Sequence, residues 1–388
     1  MNDGCGPLSL AAVRRGAPWL LGQGAEGDVV ISSRVRLARN IAGSPFPHRA
    51  MADQRARVLA SCKDALVKVT APQPGAPRLA WVDVHALPAI ARTVLVERHI
   101  MSKELARGAG ALSGQGGAAP VADAPPADAA APAPTWARGL AVSVPDEMLS
   151  VMVNEEDHLR LQVVLPGLSL ARAHLCAVQA DEGLGRVLDY AFSARFGFLT
   201  ACPTNVGGGV RMSVMLHLPA LRLTGEIERA RRAAKDLNLA VRGFYGEGSE
   251  SIGDLYQISN QTTLGRSEEQ ILRGLEREIL PQVLDYERAA RRVLVERKRR
   301  LLEDHVFRAL GILRHARLLA PDEALALLSM VRLGVLTGLI QDVTEQAVNP
   351  LFVLAQPAHV QWLAGRELDQ QQRREARADV VRRQLGGP

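Results

Sequence analysis

Residues Leu199–Pro219 read LTACPTNVGGGVRMSVMLHLP. A cysteine beside a proline opens the stretch, an Asn and a run of glycines follow, Arg211 comes just after the turn, and the end alternates as a strand does. A thiol, a permissive backbone and a cation in close succession suit an anionic group. The plainer alternative is a hairpin around a buried cysteine, because a Gly-rich turn is a weak signal by itself. The flanking sequence decides between them.

Far upstream lies Asp28-Val-Val-Ile-Ser-Ser-Arg-Val-Arg-Leu-Ala-Arg-Asn40. Val29–Ile31 predicts a short strand, and beyond it Arg34 and Arg36 fall on one face if the strand continues, since side chains alternate with period two. Two guanidinium forks on one face make a polyphosphate clamp. Nearer the opening stretch, the strand Val151–Val153 runs into Asn154-Glu-Glu-Asp-His-Leu-Arg160, where alternating Leu159, Leu161 and Val163 argue against a merely solvated loop. Downstream, Val241-Arg-Gly-Phe-Tyr-Gly-Glu-Gly-Ser-Glu250 reads as a mobile loop able to close over a ligand. Ile252–Leu264 predicts the last strand.

Helices are expected over 49–70, Ala86–Leu105, Leu170–Phe196 and Leu221–Leu237, with strands at Leu79–Val84 and Gly139–Ser143. The Ala/Gly/Pro-rich segment 108–136 has too little bulky apolar sequence to pack and is expected to be a disordered loop. After Ser267 the chain reads as helical to about Arg383, with breaks at Pro321 and near Pro350. This gives domains at 1–266 and 267–388.

The composition narrows the function. With 388 residues, 47% hydrophobic and 23% charged, the chain is long enough for two or three domains with ample cores. Aromatics are only 4%, which argues against a base-stacking nucleic-acid surface. The net charge of +6 is carried mostly by arginine, which suits phosphate or carboxylate. Four cysteines without a CxxC exclude a zinc framework and a disulfide scaffold and predict a reducing cytoplasm. No apolar run approaches membrane-spanning length. There is no GxxxxGK[ST] and no HRD/DFG set, so neither a P-loop nor a eukaryotic-type protein kinase is expected. What remains is a triphosphate clamped by Arg34, Arg36, Arg160, Arg211 and Arg242 with bridging Mg2+, two carboxylate clusters and a thiol.

Together, VVISSRVRLARN, LVERH, VMVNEEDHLR, CPTNVGGGVRMSVMLHLPAL and YGEGSE…YQISNQTTLG resemble the guanidino phosphotransferases (phosphagen kinases), and among them the bacterial protein-arginine kinases. The resemblance covers about residues 25–345. It implies an α+β fold, an antiparallel sheet flanked by helices like the catalytic domain of glutamine synthetase, followed here by a C-terminal helical domain. It implies that Ser32, Ser33, Arg34, Val35, Arg36, His99, Arg160, the run Arg211, Met212, Ser213, Val214, Met215, and the run Arg242, Gly243, Phe244, Tyr245, Gly246, Glu247 bind ATP. Glu156 and Glu247 match its catalytic carboxylates and Cys202 its reactive cysteine. Mg2+ would be bound through the nucleotide, with no metal site of the protein's own.

Metabolite kinases of this superfamily carry a helical domain ahead of the catalytic one. Here SSRVR begins at Ser32 and the extra helices lie at the C-terminus, so protein arginine is the expected substrate. The resemblance further implies a stress-response role in the cytoplasm, marking proteins for a Clp-type unfoldase and protease, with a zinc-finger activator protein and a heat-shock repressor as partners. A homo-oligomer is left open, and neither membrane nor nucleic acid is expected to bind. The family's phosphoarginine-sensing motif, RDxxRA, is matched by Arg373-Arg-Glu-Ala-Arg-Ala378, with Arg374 in place of the acid. That departure puts phosphoarginine binding by Arg373 and Arg377 in doubt. Two alternatives stand beside the leading reading: a free-guanidino kinase, and a non-catalytic adaptor using the basic C-terminal helices.

Overall fold

The structure is a computed structural model and describes residues 7–21, 24–69, 78–107, 137–228, 231–232, 239–243 and 252–387. The described strands are β1 (Val30–Arg39), β2 (Arg78–Val82), β3 (Gly139–Val144), β4 (Leu149–Val153), β5 (Leu159–Pro166), β6 (Phe192–Ser193), β7 (Gly197–Phe198), β8 (Val210–His217), β9 (Leu239–Gly243) and β10 (Leu255–Asn260). Eight of them form one antiparallel sheet in the order β2-β3-β4-β5-β1-β8-β10-β9, and β6 pairs with β7 alone.

β1 lies in the middle of the sheet, and its alternation explains the two faces. Val35 and Leu37 are fully buried, and so are their cross-strand neighbours Val163, Leu161 and Met212. This face packs against the helices Ala52–Val69 and Leu170–Gly185 and holds the main core. On the opposite face a smaller core covers only the β3–β4 end. There Leu140, Val142 and Met152 meet Val94 and Leu95 of the helix Ala89–Glu97. The rest of that face, over β5, β1, β8 and β10, carries polar and charged side chains.

The C-terminal helices include Leu280–Arg297, Arg299–His315, Pro321–Leu336, Pro357–Ala364 and Gln370–Gln384. They join the sheet through a buried polar seam. Arg332 donates to the carbonyls of Gly27 (2.7 Å) and Asp28 (3.1 Å) and to His217 Nδ1 (2.8 Å). With Nδ1 accepting, His217 Nε2–H points to Ser329 Oγ (2.9 Å), whose hydroxyl donates to Asp254 Oδ2 (2.6 Å). Burial first, then the neighbouring Arg332, hold the His217 pKa well below its ordinary value. Among the described residues no helix is long and apolar enough to cross a membrane.

Several expectations need correction. The first strand is ten residues long and contains the arginines that the sequence placed beyond it. Arg34 and Arg36 therefore sit within the strand. The helix expected over Ala86–Leu105 stops at Glu97, because His99 adopts a left-handed conformation (φ 59°). The helix expected to reach Phe196 ends at Gly185; beyond it Ala191 N–H bonds the Asn40 carbonyl (2.8 Å) and the chain turns into β6 and β7. The helix expected over Leu221–Leu237 is interrupted: Pro219–Thr224 is stopped by left-handed Gly225 (φ 81°), residues 227–228 and 231–232 are helical again, and 229–230 and 233–238 lie outside the described residues. Segment 108–136 lies outside the described residues.

Candidate active site

The strand register brings the expected arginines together. Arg36 stands opposite Arg211 on one side and Gln162 on the other, Arg34 stands opposite Ser213, and Arg160 stands opposite Ala38. Directly opposed residues share a face, so Arg34, Arg36, Arg160 and Arg211 all lie on the open face. The backbone register also puts position 242 there, opposite Gln257. Arg39 has the other parity. It leaves the group to make a bidentate ion pair with Asp181 (2.7–3.1 Å) against the ring of Phe198.

Two of the guanidiniums donate to neutral groups. Arg34 donates to Gln257 Oε1 (2.8 Å) and Ser213 Oγ (3.4 Å), and Arg211 donates to Ser259 Oγ (3.3 Å). Gln257 and Ser259 were not anticipated, although their period-two spacing in YQISN is a usable signal. Arg36 Nε is enclosed without a hydrogen-bond partner. Burial, followed by repulsion from Arg34, Arg160 and Arg211, pushes the Arg36 pKa well down. This face is poised for an anion with several charges.

Of the other expected nucleotide positions, Val35, Met212 and Val214 point into the main core. Ser33 Oγ is committed to the Gly167 carbonyl (2.8 Å) and Ser169 N–H (2.9 Å), while Ser32 and Met215 are buried. Phe244, Tyr245, Gly246 and Glu247 lie outside the described residues, as do the side chains of Arg242 and Gly243.

His99 lies at the edge of the arginine group. The helix before it ends in a Schellman motif, with His99 N–H bonding the Val96 carbonyl (2.9 Å) and Ile100 N–H that of Leu95 (3.0 Å). Glycine is the usual occupant of such a left-handed position, so a histidine there marks a constraint other than helix termination. Its ring stands 4.9 Å from that of Trp19, and its carbonyl accepts Gln162 Nε2 (2.6 Å). Burial, then Arg34, Lys103 and Arg36, lower its pKa from 6.5 to about 3. Between those two values the unfolded chain takes up a proton that the folded chain refuses. The stability linked to this ring is thus complete above pH 6.5 and is lost as pH falls toward about 3. His99→Gln is expected to flatten this acid limb in urea unfolding by up to one proton; an unchanged limb would contradict the assignment.

The NEEDH loop joins β4 to β5, closed by Asn154 N–H to the His158 carbonyl (3.0 Å). Asn154 takes the left-handed conformation (φ 59°) that asparagine tolerates. Its three acids have three fates. Glu155 is buried and accepts Arg160 Nη1 (2.5 Å); burial alone would raise its pKa, but Arg160 outweighs it and holds the carboxyl below the usual range. Asp157 Oδ1 accepts Asn40 Nδ2 (2.6 Å) and Ala201 N–H (2.7 Å), tying this loop to the cysteine loop. Only Glu156 is exposed to solvent. Partial enclosure of its carboxyl, then Asp157 and Glu155, push its pKa up. His158 is no rival base: Nδ1 accepts Ile41 N–H (3.0 Å), Nε2 meets the Pro45 carbonyl (2.9 Å), and burial lowers its pKa.

Cys202, one residue past the Ala201 tie, is half-buried with Sγ 3.0 Å from Thr204 Oγ1. The glycines behind it permit close packing. At Gly209 (φ 63°) a Cβ would lie 2.6 Å from Arg39 Nη1 and 2.8 Å from the Ala38 carbonyl oxygen. Arg373 and Arg377 lie on the helix Gln370–Gln384. Both are buried; Arg373 donates to the Leu368 carbonyl (2.8 Å), and Arg377 to those of Ala355 (2.6 Å) and Leu319 (2.8 Å).

Residues 62–290 match the family of the ATP:guanido phosphotransferase C-terminal catalytic domain, and residues 299–387 match the protein-arginine kinase McsB C-terminal domain. The chain is 42% identical to the protein-arginine kinase of Halothermothrix orenii over 95% of this chain and 96% of that one. It is also 42% identical to that of Moorella thermoacetica, over 97% and 99%. Similar solved folds include a duplicated taurocyamine kinase from Schistosoma mansoni with bound transition state analog components (TM-score 0.55, 23% identity, 72% of this chain and 35% of that one). A lombricine kinase is similar too (TM-score 0.53, 23% identity, 69% and 68%). By the match of its catalytic domain and its likeness to these bacterial relatives along nearly its whole length, the chain belongs to the protein-arginine kinase family of ATP:guanido phosphotransferases.

Proposed function

We propose that this kinase transfers the γ-phosphoryl group of ATP to a guanidinium nitrogen of arginine side chains in proteins. The observation that carries the reading is the meeting of Arg34, Arg36, Arg160 and Arg211 on one open sheet face, beside a loop whose exposed acid is Glu156. The mutual repulsion of the four cations, and the enclosed Arg36 Nε, fit a triphosphate. Mg2+ would arrive on the nucleotide and neutralise charge between its phosphates. The neutral ring of His99 borders the same face and suits the uncharged part of the nucleotide.

A guanidinium is a poor nucleophile, because its lone pairs are delocalised and its pKa exceeds ~12. It needs a carboxylate to turn one nitrogen toward the phosphorus and to take a proton. Glu156 has the exposure and the raised pKa for that work. Holding the two reactants in line contributes on the order of 7–11 kcal/mol at best. Cys202 follows the Asp157–Ala201 tie and keeps the reactive-cysteine role on its sequence match. Glu247 keeps the second carboxylate role on its sequence match alone. The division of labour follows the chain, with catalysis in 1–266 and substrate or phosphoarginine docking in 267–388. The wider role, marking proteins for a Clp-type unfoldase in the cytoplasm under stress, with a zinc-finger activator and a heat-shock repressor as partners, rests on family membership.

The test gives the purified chain γ-labelled ATP and Mg2+ with an arginine-rich protein in one tube and free arginine in another. Label on the protein is the expected result. Label on free arginine alone would make this a metabolite kinase.

A further inference from the structure

Glu97, Arg98 and His99 are consecutive, and each is fastened to a different part of the molecule. His99 borders the arginine face, as described above. The Arg98 guanidinium grips both oxygens of Glu147 (2.6–3.1 Å) and the Gly16 carbonyl (3.1 Å), while the Arg98 carbonyl accepts Trp19 Nε1 (3.0 Å). Glu97 reaches away from the sheet into the C-terminal helices. Its carboxylate accepts the N–H groups of Ala358 (2.8 Å) and His359 (3.0 Å) at the start of the helix Pro357–Ala364, and His359 Nδ1–H (2.6 Å). Both side chains are buried.

This contact is well matched. The first N–H groups of a helix lack partners within it, and a carboxylate there also meets the positive end of the helix dipole. Glu97 is also the last residue of the helix Ala89–Glu97, so the tight Schellman turn passes its position directly to His99. The link crosses from the catalytic-domain match to the C-terminal match.

We infer that Glu97 and His359 are positioning residues, through which the C-terminal helices hold His99 at the nucleotide face and so set nucleotide affinity. The inference rests on the reading of that face as the ATP site. It gives the C-terminal helices a part in the reaction without any contact with the reacting atoms.

Calorimetric titration of the full chain with MgADP tests it, alongside steady-state KM values for MgATP and for the protein substrate. His359→Ala is expected to weaken nucleotide binding about five- to twentyfold and to raise the KM for MgATP by a similar factor. The KM for protein should stay as it was. His359→Asn, which places an amide N–H near the lost Nδ1–H, is expected to restore most of the affinity. Glu97→Gln, which keeps the shape but not the charge, should resemble His359→Ala. If the wild-type chain binds no MgADP, the nucleotide reading itself falls and takes this inference with it. If wild-type binds but His359→Ala binds equally well, the inference alone is overturned. A loss shared equally by nucleotide and protein substrate, without rescue by asparagine, is the mark of general structural damage and overturns it as well.

Discussion

Glu156→Gln is expected to lower kcat by about 10²–10⁴-fold while MgADP binding stays close to that of the wild-type chain. The three consecutive acids explain why the effect falls on this one. Glu155 is spent on Arg160 and Asp157 on Asn40 and Ala201, so each supports the site's architecture. Glu156 faces solvent beside them, with its pKa raised by enclosure and by both neighbours. A raised pKa makes a carboxylate a stronger base, and glutamine keeps the shape while removing the basicity. The arginines that would hold the phosphates are untouched by the change. Loss of nucleotide binding in this variant would move Glu156 from the guanidinium to the nucleotide. Unchanged kcat would remove it from the mechanism.

Arg36→Met is expected to move stability and function in opposite directions. Arg36 has Nε enclosed without a partner and lies among three other guanidiniums. In the absence of an anion, this arrangement works against the folded state. Replacing a poorly compensated buried charge by an apolar side chain of similar length is often neutral or stabilising, by about 1–4 kcal/mol. The Tm of the nucleotide-free variant should therefore equal or exceed that of the wild-type chain. MgATP affinity should fall by ~10²-fold or more, as when one partner of a desolvated charge pair is truncated. Thermal unfolding with and without MgADP reads both effects, because the ligand's stabilising shift should shrink in the variant. A lower Tm with intact nucleotide binding would contradict the assignment of Arg36 to a phosphate clamp. It would mean that Arg36 serves the fold.

The sequence made much of this legible where local rules govern. Period-two alternation put Arg34 and Arg36 on one side of a strand, and the register agrees. The same rule places the side chains of Val35, Met212 and Val214 on the core face of the sheet. What could not be read were the partners of β1. β5 and β8 flank it from more than a hundred residues away in the chain, and no local pattern states that pairing. Without it, Arg160 and Arg211 meet Arg36 only by analogy.

Other features were hidden because a residue does something its type seldom does. His99 ends a helix at a position where glycine is the usual signal, so the sequence pattern alone predicts a helix continuing to Leu105. The acids in NEEDH look equivalent in sequence, and only their partners in space separate a lock, a tie and a free carboxylate. Arg377 matches a phosphate-sensing motif by spacing, and only the fold shows its Nε and Nη1 donating to two main-chain carbonyls. Glu97 and His359 carry no motif, and only the fold brings them within 2.6 Å.

The central claim is that the phosphoryl group goes to a guanidinium nitrogen. It is tested most directly by the chemistry of the labelled product. A protein substrate phosphorylated by the purified chain is divided between mild acid and mild alkali, and the surviving label is assigned by peptide mass spectrometry. The account predicts label on arginine that is lost in acid, because a P–N bond hydrolyses there, and that fails to appear with Glu156→Gln. Label that survives acid and maps to serine, threonine or tyrosine would contradict it.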